Sequence, residues 1–127
     1  MKIILAVEGE VKGNQYYIAL KEAFPNLVAT NTPRGTIDWV YRTFSENVLL
    51  VLDEDFFLQA LKSNPFFEKT LRGLARDNHV ELHIILFHQK GKRFKGFQYG
   101  ADYFVRETKP SELPQRTRGI IRRNGLK

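Results

Sequence analysis

Short runs of apolar residues alternate along this chain with longer stretches in which apolar and polar residues mix. The apolar runs are Ile3 to Val7, Leu27 to Thr30, Val48 to Leu52, Leu82 to Phe87 and Tyr103 to Val105. An unbroken apolar run of about four to eight residues is typical of a β-strand that is covered on both faces. The pattern therefore predicts a strand at each of the five runs.

The mixed stretches carry apolar residues three and four positions apart, which is the spacing of one buried helix face. They predict helices over Gln15 to Phe24, Thr36 to Phe44 and Phe56 to Asp77, and a last helix that opens at Ser111 to Leu113 with Ser111 as its N-cap. Asn64-Pro65 is expected to divide the long third stretch, because a residue before proline disfavours helical geometry. Thr32 to Gly35 is expected to form a turn. The basic stretch from Gln89 to Gln98 is either a loop or a poorly formed helix.

Strands that alternate with helices pair in parallel through right-handed crossovers, which place helices on both faces of the sheet. The sequence therefore predicts a three-layer α/β/α sandwich around a five-stranded, doubly wound parallel sheet, formed by a single domain over residues 1–127. In such a sheet, ligands bind at the carboxyl ends of the strands. Candidate functional residues are therefore sought at those ends.

Composition limits the classes of protein that this chain can represent. Its 127 residues include no cysteine, which excludes a disulfide framework, a thiol nucleophile and a zinc site built on thiolates. No apolar run approaches the roughly 20 residues that span a bilayer, and Glu8 interrupts the first run too early for a signal peptide. We therefore expect a cytoplasmic protein that does not enter a membrane.

The chain is basic, with 20 Lys and Arg residues against 14 Asp and Glu residues and a net charge of +6. A basic balance favours acidic partners, and nucleic acid above all, although a solvated surface that keeps a small protein in solution explains it equally well. The excess is concentrated late in the chain, in two clusters. They are Lys90, Lys92, Arg93 and Lys95, and then Arg116, Arg118, Arg122, Arg123 and Lys127.

Carboxylates directly follow the first and third predicted strands. They are Glu8 and Glu10 after the first strand, and Asp53, Glu54 and Asp55 after the third. If these two strands are neighbours, the carboxylates converge and repel one another unless a cation lies among them, and oxygen ligands suit Mg²⁺. Glu8 and Asp53 are the candidates for such a site. Glu10 and Glu54 are better explained by the helix dipole, which favours acidic residues where a helix begins.

Four segments of the chain occur in the order and at the spacing of a known family. They are Ile4 to Glu10, Val48 to Asp53, Gly96 to Arg106, and Ser111 to Leu113 with the basic ending Ile120 to Arg123. Over essentially its whole length, the chain resembles the receiver domain of bacterial response regulators, which has a flavodoxin-like fold. The resemblance implies two-component signalling by a phosphoprotein, with Asp53 as the phosphoacceptor and with Glu8, Glu10 and Asp53 around Mg²⁺.

The match to the receiver pattern is incomplete around the phosphoryl group. Gly9 stands where the family has a second carboxylate that binds Mg²⁺, so only weak Mg²⁺ binding is expected. Two family residues that contact the phosphoryl group are replaced, a Ser or Thr by His88 and a Lys by Arg106. Tyr103 matches the aromatic residue that switches conformation in the family. These departures are typical of a pseudo-receiver. Such a domain is not an enzyme and acts mainly by binding proteins, with any phosphorylation of Asp53 residual.

The resemblance also implies which surface binds a partner. A face formed by residues 90–123 is expected to bind a histidine kinase, an effector or a second copy of the chain. Its basic clusters lie beside aromatic residues, and aromatic and Arg side chains are the usual anchors of interfaces. The aromatic residues are Phe94, Phe97, Tyr99 and Tyr103. Nucleic acid is the less favoured partner for the same face.

A second family has a similar acidic pattern. Glu8 after the first strand, with Asp53 and Asp55 after the third, also resembles the acidic set of Toprim domains. That resemblance implies a Mg²⁺-dependent enzyme or binding domain that acts on nucleic acid, and the basic balance suits it. The Toprim pattern does not account for Gly96 to Arg106 or for the final helix, so we rank it second.

Overall fold

The computed structural model describes residues 1–93 and 100–126, and in them five parallel strands form one sheet. The strands are β1 (Lys2–Ala6), β2 (Val28–Thr30), β3 (Asn47–Asp53), β4 (Glu81–Gln89) and β5 (Tyr103–Thr108), in the order β2-β1-β3-β4-β5. The helices are α1 (Gln15–Ala23), α2 (Pro33–Tyr41), α3 (Glu54–Ser63), α4 (Phe67–Asp77) and α5 (Leu113–Arg123). The predicted three-layer α/β/α sandwich is confirmed, and its strand order is that of flavodoxin-like folds.

Each face of the sheet is covered by its own helices, because successive strand residues point to opposite faces. On one face, α2, α3 and α4 cover a core that includes Leu50 and Phe57. On the other face, α1 and α5 cover a core that includes Leu20, Val51 and Ile120. Neighbouring residues of β3 are thus fully buried on opposite sides, which is why the apolar run in this strand is unbroken.

The strand order reverses between β1 and β3. The chain first adds β2 on one side of β1, and β3 then pairs with the other side, with Ala6 opposite Leu52. Connections diverge at such a reversal, which opens a crevice beyond the carboxyl ends of the two strands. Asp53 ends β3 opposite Phe87 of β4, and Glu8 follows β1, so both carboxylates lie at this end of the sheet.

The second helix begins earlier than the sequence predicted. Thr32 is the N-cap of α2, and its hydroxyl oxygen accepts a hydrogen bond from the Gly35 N–H at 2.9 Å. Pro33 occupies the first turn, where a missing N–H removes no helix hydrogen bond. The turn predicted over Thr32 to Gly35 is therefore wrong, because Pro and Gly start a helix here.

The last helix also starts differently from the prediction. Its N-cap is Glu112 rather than Ser111. The start is set by a turn on Lys109, whose N–H donates to the Glu112 carboxylate at 3.0 Å and whose carbonyl accepts from the Leu113 N–H at 3.2 Å. The helix therefore begins after that turn and not at the serine.

The long amphipathic stretch in the middle of the chain is divided as predicted. α3 ends at Ser63 and α4 begins at Phe67, with Asn64-Pro65 between them. The Asn64 side-chain oxygen accepts the Phe66 N–H at 3.0 Å, which stabilises the turn between the two helices. In the two described ranges, none of the helices is long and apolar enough to cross a membrane.

Part of the basic stretch predicted over Gln89 to Gln98 lies outside the described residues. Gln89 is the last residue of β4, and a turn follows it. Residues 94–99 and Lys127 are not described, so part of the Gly96 to Arg106 match and three of the four aromatic residues on the predicted partner face lie outside the described residues. Residues 94–99 are Phe94, Lys95, Gly96, Phe97, Gln98 and Tyr99.

Candidate functional site

Asp53 occupies two structural positions at once, as the last residue of β3 and the N-cap of α3. One carboxylate oxygen accepts the Asp55 N–H at 3.4 Å, and the other accepts the Gln89 side-chain amide at 2.8 Å. Only 2% of the residue is exposed. Burial raises the pKa of Asp53 from 3.8 to about 6, and the charge of Asp55 adds to the rise, while Lys92 and the two hydrogen bonds oppose it. The ionised form of this carboxylate is therefore costly.

A lysine ammonium lies among the carboxylates. Lys92 Nζ is 3.0 Å from the Asp55 carboxylate. The hydrogen bond to Asp55 raises the pKa of Lys92, and the charges of Asp55, Asp53 and Glu8 raise it further, against partial burial. All three carboxylates therefore act on one ammonium. We call Glu8, Asp53, Asp55 and Lys92 together the acidic site.

The turn after β4 brings Lys92 to the carboxylates. The Lys92 N–H donates to the Gln89 carbonyl at 3.2 Å, which closes the turn, and Gly91 in the turn has a φ of +89°. A positive φ of this size favours glycine. Gln89 and Lys92 lie at the two ends of one turn, and their side chains contact Asp53 and Asp55 respectively.

His88 stabilises the same turn from below. It is buried, its Nε2–H donates to the Lys92 carbonyl at 2.6 Å, and its Nδ1 accepts the Glu107 N–H at 3.4 Å. Both ring nitrogens thus contact the backbone of the segments that follow β4 and end β5. Contact of His88 with a phosphoryl group stays a prediction, and these hydrogen bonds give the residue a structural role.

Tyr16 joins α1 to the same end of the sheet. Its hydroxyl donates to the Thr108 carbonyl at 2.6 Å, and that carbonyl also accepts the Lys90 N–H at 3.1 Å. The ring packs against Phe87, with the centroids 5.1 Å apart. Burial raises the pKa of Tyr16, and the negative charge of Asp53 raises it further. Tyr16 is therefore close enough to Asp53 for the carboxylate charge to disfavour ionisation of the phenol.

The carboxylates after β1 lie on an exposed loop. Glu8 and Glu10 are both exposed, and Gly9 between them has a φ of +75°. The Gly9 carbonyl accepts the Asn31 side-chain amide at 2.8 Å, which ties this loop to the segment after β2. Glu8 lines a groove of about 420 Å³ together with Asn31 and Gln59. Glu8 thus forms the exposed edge of the acidic site and faces this groove.

The predicted metal ligands are not arranged as a formed metal site. Within residues 1–93 and 100–126, no three His, Asp or Glu side chains are placed so that they hold a metal ion together. Lys92 contacts Asp55 in this arrangement. The ligand set Glu8, Glu10 and Asp53 therefore stays a prediction, as does the alternative set with Asp55.

The predicted receiver residues of β5 lie beside the acidic site rather than in it. Tyr103 begins β5, two residues before Val105, which lies in the same row of the sheet as Asp53 and Phe87. Its ring stacks on His83, with the centroids 6.3 Å apart. The switching role of Tyr103 stays a prediction, and so does the contact of Arg106 with a phosphoryl group.

Arg106 itself is exposed. Its carbonyl accepts hydrogen bonds from the Arg116 guanidinium at 3.2 Å and from the Thr108 hydroxyl at 3.3 Å. The ammonium that contacts Asp55 belongs instead to Lys92. The cation at the carboxylates therefore comes from the turn after β4, whereas the receiver resemblance places it after β5.

Exposed basic residues surround the acidic site. They occupy the loops and helix starts that follow the strands, so the topology places them at the same end of the sheet as Asp53. They are Lys12 after β1, Arg34 at the start of α2, Lys90 and Arg93 after β4, and Lys109 after β5. Glu10 and Glu107 are exposed at this end too, but the basic residues outnumber them, and a negative centre with a net positive surround suits a cation and a polyanion bound together.

Sequence reasoning found the carboxylates of this site and missed their partners. Glu8 and Asp53 directly follow apolar runs and Asp55 comes two residues after Asp53, so the sequence pattern identified all three. Gln89 ends the fourth strand and Lys92 lies in the turn after it, but their contacts with residues 36 and 37 positions away have no local signal. A rule that every polar residue in the turn after a buried strand belongs to the site would have included both.

Comparisons with protein-family models, with curated proteins and with solved structures found no match to this chain. The fold is established by the sheet topology alone. Any function assigned to the chain therefore depends on the geometry and charge of its own residues.

Proposed function

We propose that this protein binds nucleic acid and takes a Mg²⁺ ion among Glu8, Asp53 and Asp55. The observation that carries the proposal is that the Lys92 ammonium contacts Asp55 at 3.0 Å at the end of the sheet where Asp53 ends β3 and Glu8 follows β1, so that all three carboxylates raise the pKa of Lys92. The ammonium balances one of three negative charges, and a divalent cation in its place would balance two. This is the function that the Toprim resemblance implies, and it depends on residues that the acidic site brings together.

The donor set has the chemistry of a hard-cation site, but its three carboxylates do not form one as they stand, so binding would require the exposed Glu8 to turn toward Asp53 and Asp55. Mg²⁺ prefers carboxylate oxygens, keeps several of its waters and commonly completes its shell with phosphate oxygens of a substrate. The Gln89 side-chain amide orients Asp53 through its hydrogen bond. The pKa of Asp53 rises to about 6 because burial makes its negative charge costly. A nearby cation favours the charged form of such a carboxylate. When bound, Mg²⁺ would supply positive charge to the phosphate.

The surrounding cations support a nucleic acid as the ligand. Lys12, Arg34 and Lys90 are exposed around the acidic site, and the side chain of Lys92 is 50% exposed. Lys92 can therefore leave Asp55 and contact a phosphate without unfolding the turn that carries it. Phosphates are the groups that dominate the affinity of proteins for nucleic acids.

Oligonucleotide binding with and without Mg²⁺ tests the proposal. Fluorescence anisotropy of a labelled single-stranded oligonucleotide, measured in Mg²⁺ and in EDTA, should show tighter binding in Mg²⁺. Asp53→Asn should remove this difference, because it takes away a ligand charge while keeping the size of the side chain. A loss of about tenfold corresponds to about 1.4 kcal/mol. Cleavage of the oligonucleotide in Mg²⁺ would extend the proposal from binding to catalysis.

Asp77→Asn is the matched control. Asp77 is exposed at the end of α4, which leads into β4 from the opposite end of the sheet. It should keep the Mg²⁺ effect in full. Wild-type protein that binds the oligonucleotide equally well in Mg²⁺ and EDTA would overturn the role of the ion.

The second candidate is the atypical receiver domain, a signalling module that binds a kinase, an effector or a second copy through residues 90–123. Its support is that Asp53 ends a central strand of a five-stranded parallel sheet, with Tyr103 and Arg106 on β5. Against a phosphoacceptor role, Asp53 is buried and both its oxygens accept hydrogen bonds. To attack a phosphoryl donor, one of these oxygens would have to lose its hydrogen bond and become accessible to the donor.

Incubation with acetyl phosphate and Mg²⁺ separates the two candidates. A receiver with residual activity should gain a phosphoryl group on Asp53, detected by the intact mass and absent from Asp53→Asn. A constitutive pseudo-receiver should remain unmodified and should associate with a protein partner regardless of Asp53. Mg²⁺-dependent oligonucleotide binding without either behaviour would favour the nucleic-acid function.

A further inference from the structure

A second basic surface lies away from the acidic site. β5 is the last strand of the sheet, and a groove of about 530 Å³ runs between it and α5. Three arginines line the groove, Arg116, Arg122 and Arg123. None of the described residues that line it is acidic. We call this surface the β5–α5 groove.

The floor of the groove includes a helical glycine. A Cβ at Gly119 would lie 3.2 Å from the Arg123 guanidinium, so the absent side chain leaves room for that guanidinium on the helix surface. In the described part of the chain, neither Arg122 nor Arg123 has a carboxylate within ion-pair distance. Their charges are therefore not balanced by acidic residues of that part of the chain.

The groove follows the first half of β5, where Tyr103 to Val105 line it, and Arg116 extends it toward the other end of the strand. The Arg116 guanidinium donates to the Arg106 carbonyl near the carboxyl end of the strand, where the acidic site lies. Arg123 lies seven residues further along α5, a rise of roughly 10 Å toward the start of β5. A polyanion that reaches the acidic site can thus continue into the β5–α5 groove.

Two features of β5 disfavour an acidic protein strand as the occupant. The register shifts between Phe87 and Gln89 of β4, so β5 contains an irregularity, and Glu107 there has a φ of +46°. The Arg106 carbonyl already accepts hydrogen bonds from two side chains. Irregular and already bonded edges resist pairing with an added strand.

We propose that single-stranded nucleic acid lies in the β5–α5 groove, with its phosphates on Arg116, Arg122 and Arg123. Tyr103 lines the same groove on the face of the sheet that α5 covers, and an aromatic side chain beside a basic track is typical of single-strand binding. The inference rests on the proposed function for the class of ligand, and it adds a binding surface that does not depend on Mg²⁺.

Oligonucleotide binding in EDTA tests the groove apart from the metal. The double variant Arg122→Gln with Arg123→Gln should bind a labelled oligo(dT) at least tenfold more weakly. The slope of log affinity against log salt should become shallower by about 1.4, because each phosphate contact on a single strand contributes about 0.7. Circular dichroism establishes that the variant is folded. Arg76→Gln is the matched control, because Arg76 is an exposed arginine in the last turn of α4 on the other face.

The outcomes distinguish this inference from the proposed function. If Asp53→Asn removes the Mg²⁺ effect while the arginine variant binds as Arg76→Gln does, the groove is not a binding surface. If the arginine variant loses binding in EDTA while Mg²⁺ has no effect on wild type, the groove stands and the metal site fails. If a polyglutamate peptide binds wild type through Arg122 and Arg123 and oligo(dT) does not bind, the occupant is an acidic protein and the inference is wrong.

Discussion

The acidic site and the β5–α5 groove hold their charges in different ways. In the acidic site, Asp53 is buried, Gln89 and the Asp55 N–H hold its two oxygens, and Lys92 contacts Asp55. In the groove, Arg122 and Arg123 are exposed. Hydrogen bonds and an ion pair therefore hold the acidic site together before any ligand binds. Arg122 and Arg123 of the groove have no carboxylate partner among the described residues.

This difference indicates which of the two surfaces contributes to the stability of the fold as well as to binding. A buried, hydrogen-bonded charge changes the free energy of unfolding when it is altered, because its desolvation has been compensated by specific partners. An exposed charge without a partner contributes little to folding and can be selected for binding alone. Substitutions in the acidic site should therefore change stability, and substitutions of groove arginines should change affinity alone.

The largest expected effect is the pH dependence of stability that Asp53 causes. Its pKa in the folded state is about 6, above the ordinary 3.8, so the folded protein holds this proton more tightly than the unfolded chain does. The free energy of unfolding should therefore fall as pH rises from about 4 to about 6 and stay reduced above that. The fall attributable to Asp53 is about 3 kcal/mol.

Urea unfolding across this pH range measures the effect. Asp53→Asn should remove the fall, because the amide does not ionise. Asp77→Asn, at an exposed position on α4, should keep the wild-type profile. A wild-type profile that is flat or rising through the same range would show that burial does not disfavour the charged carboxylate.

The fold was predictable because its signals are local. A strand that is buried on both faces has an unbroken apolar run, and Asn64-Pro65 divides α3 from α4 because a residue before proline disfavours helical geometry. The prediction of a turn over Thr32 to Gly35 was wrong, because Pro and Gly occur where helices begin as well as in turns. The sequence also did not predict which cation contacts the carboxylates. Lys92 contacts Asp55, 37 residues away in the chain, because His88 stabilises the turn that carries Lys92.

A smaller effect is expected from Tyr16→Phe, which removes one buried hydrogen bond beside the acidic site. The Tyr16 hydroxyl donates to the Thr108 carbonyl at 2.6 Å, and that carbonyl keeps the Lys90 N–H when the hydroxyl is lost. The free energy of unfolding should fall by about 1 kcal/mol. Tyr17→Phe, on the half-buried neighbour, should cost less in the same denaturation experiment. Equal costs would show that the bond to Thr108 contributes nothing specific.

The smallest expected effect separates stability from binding in the groove. Gly119→Ala should raise the free energy of unfolding by about 0.5 kcal/mol, because alanine restricts the unfolded chain and is favoured inside a helix. The new Cβ displaces the Arg123 guanidinium, the flexible end of its side chain, so oligonucleotide binding should weaken by about threefold, the scale of one exposed charge contact. Gly73→Ala on α4 is the control, since nothing lies within 4 Å of the Cβ it adds. It should stabilise to a similar extent without changing affinity. If both variants leave affinity unchanged, Arg123 does not bind the ligand from its position over Gly119.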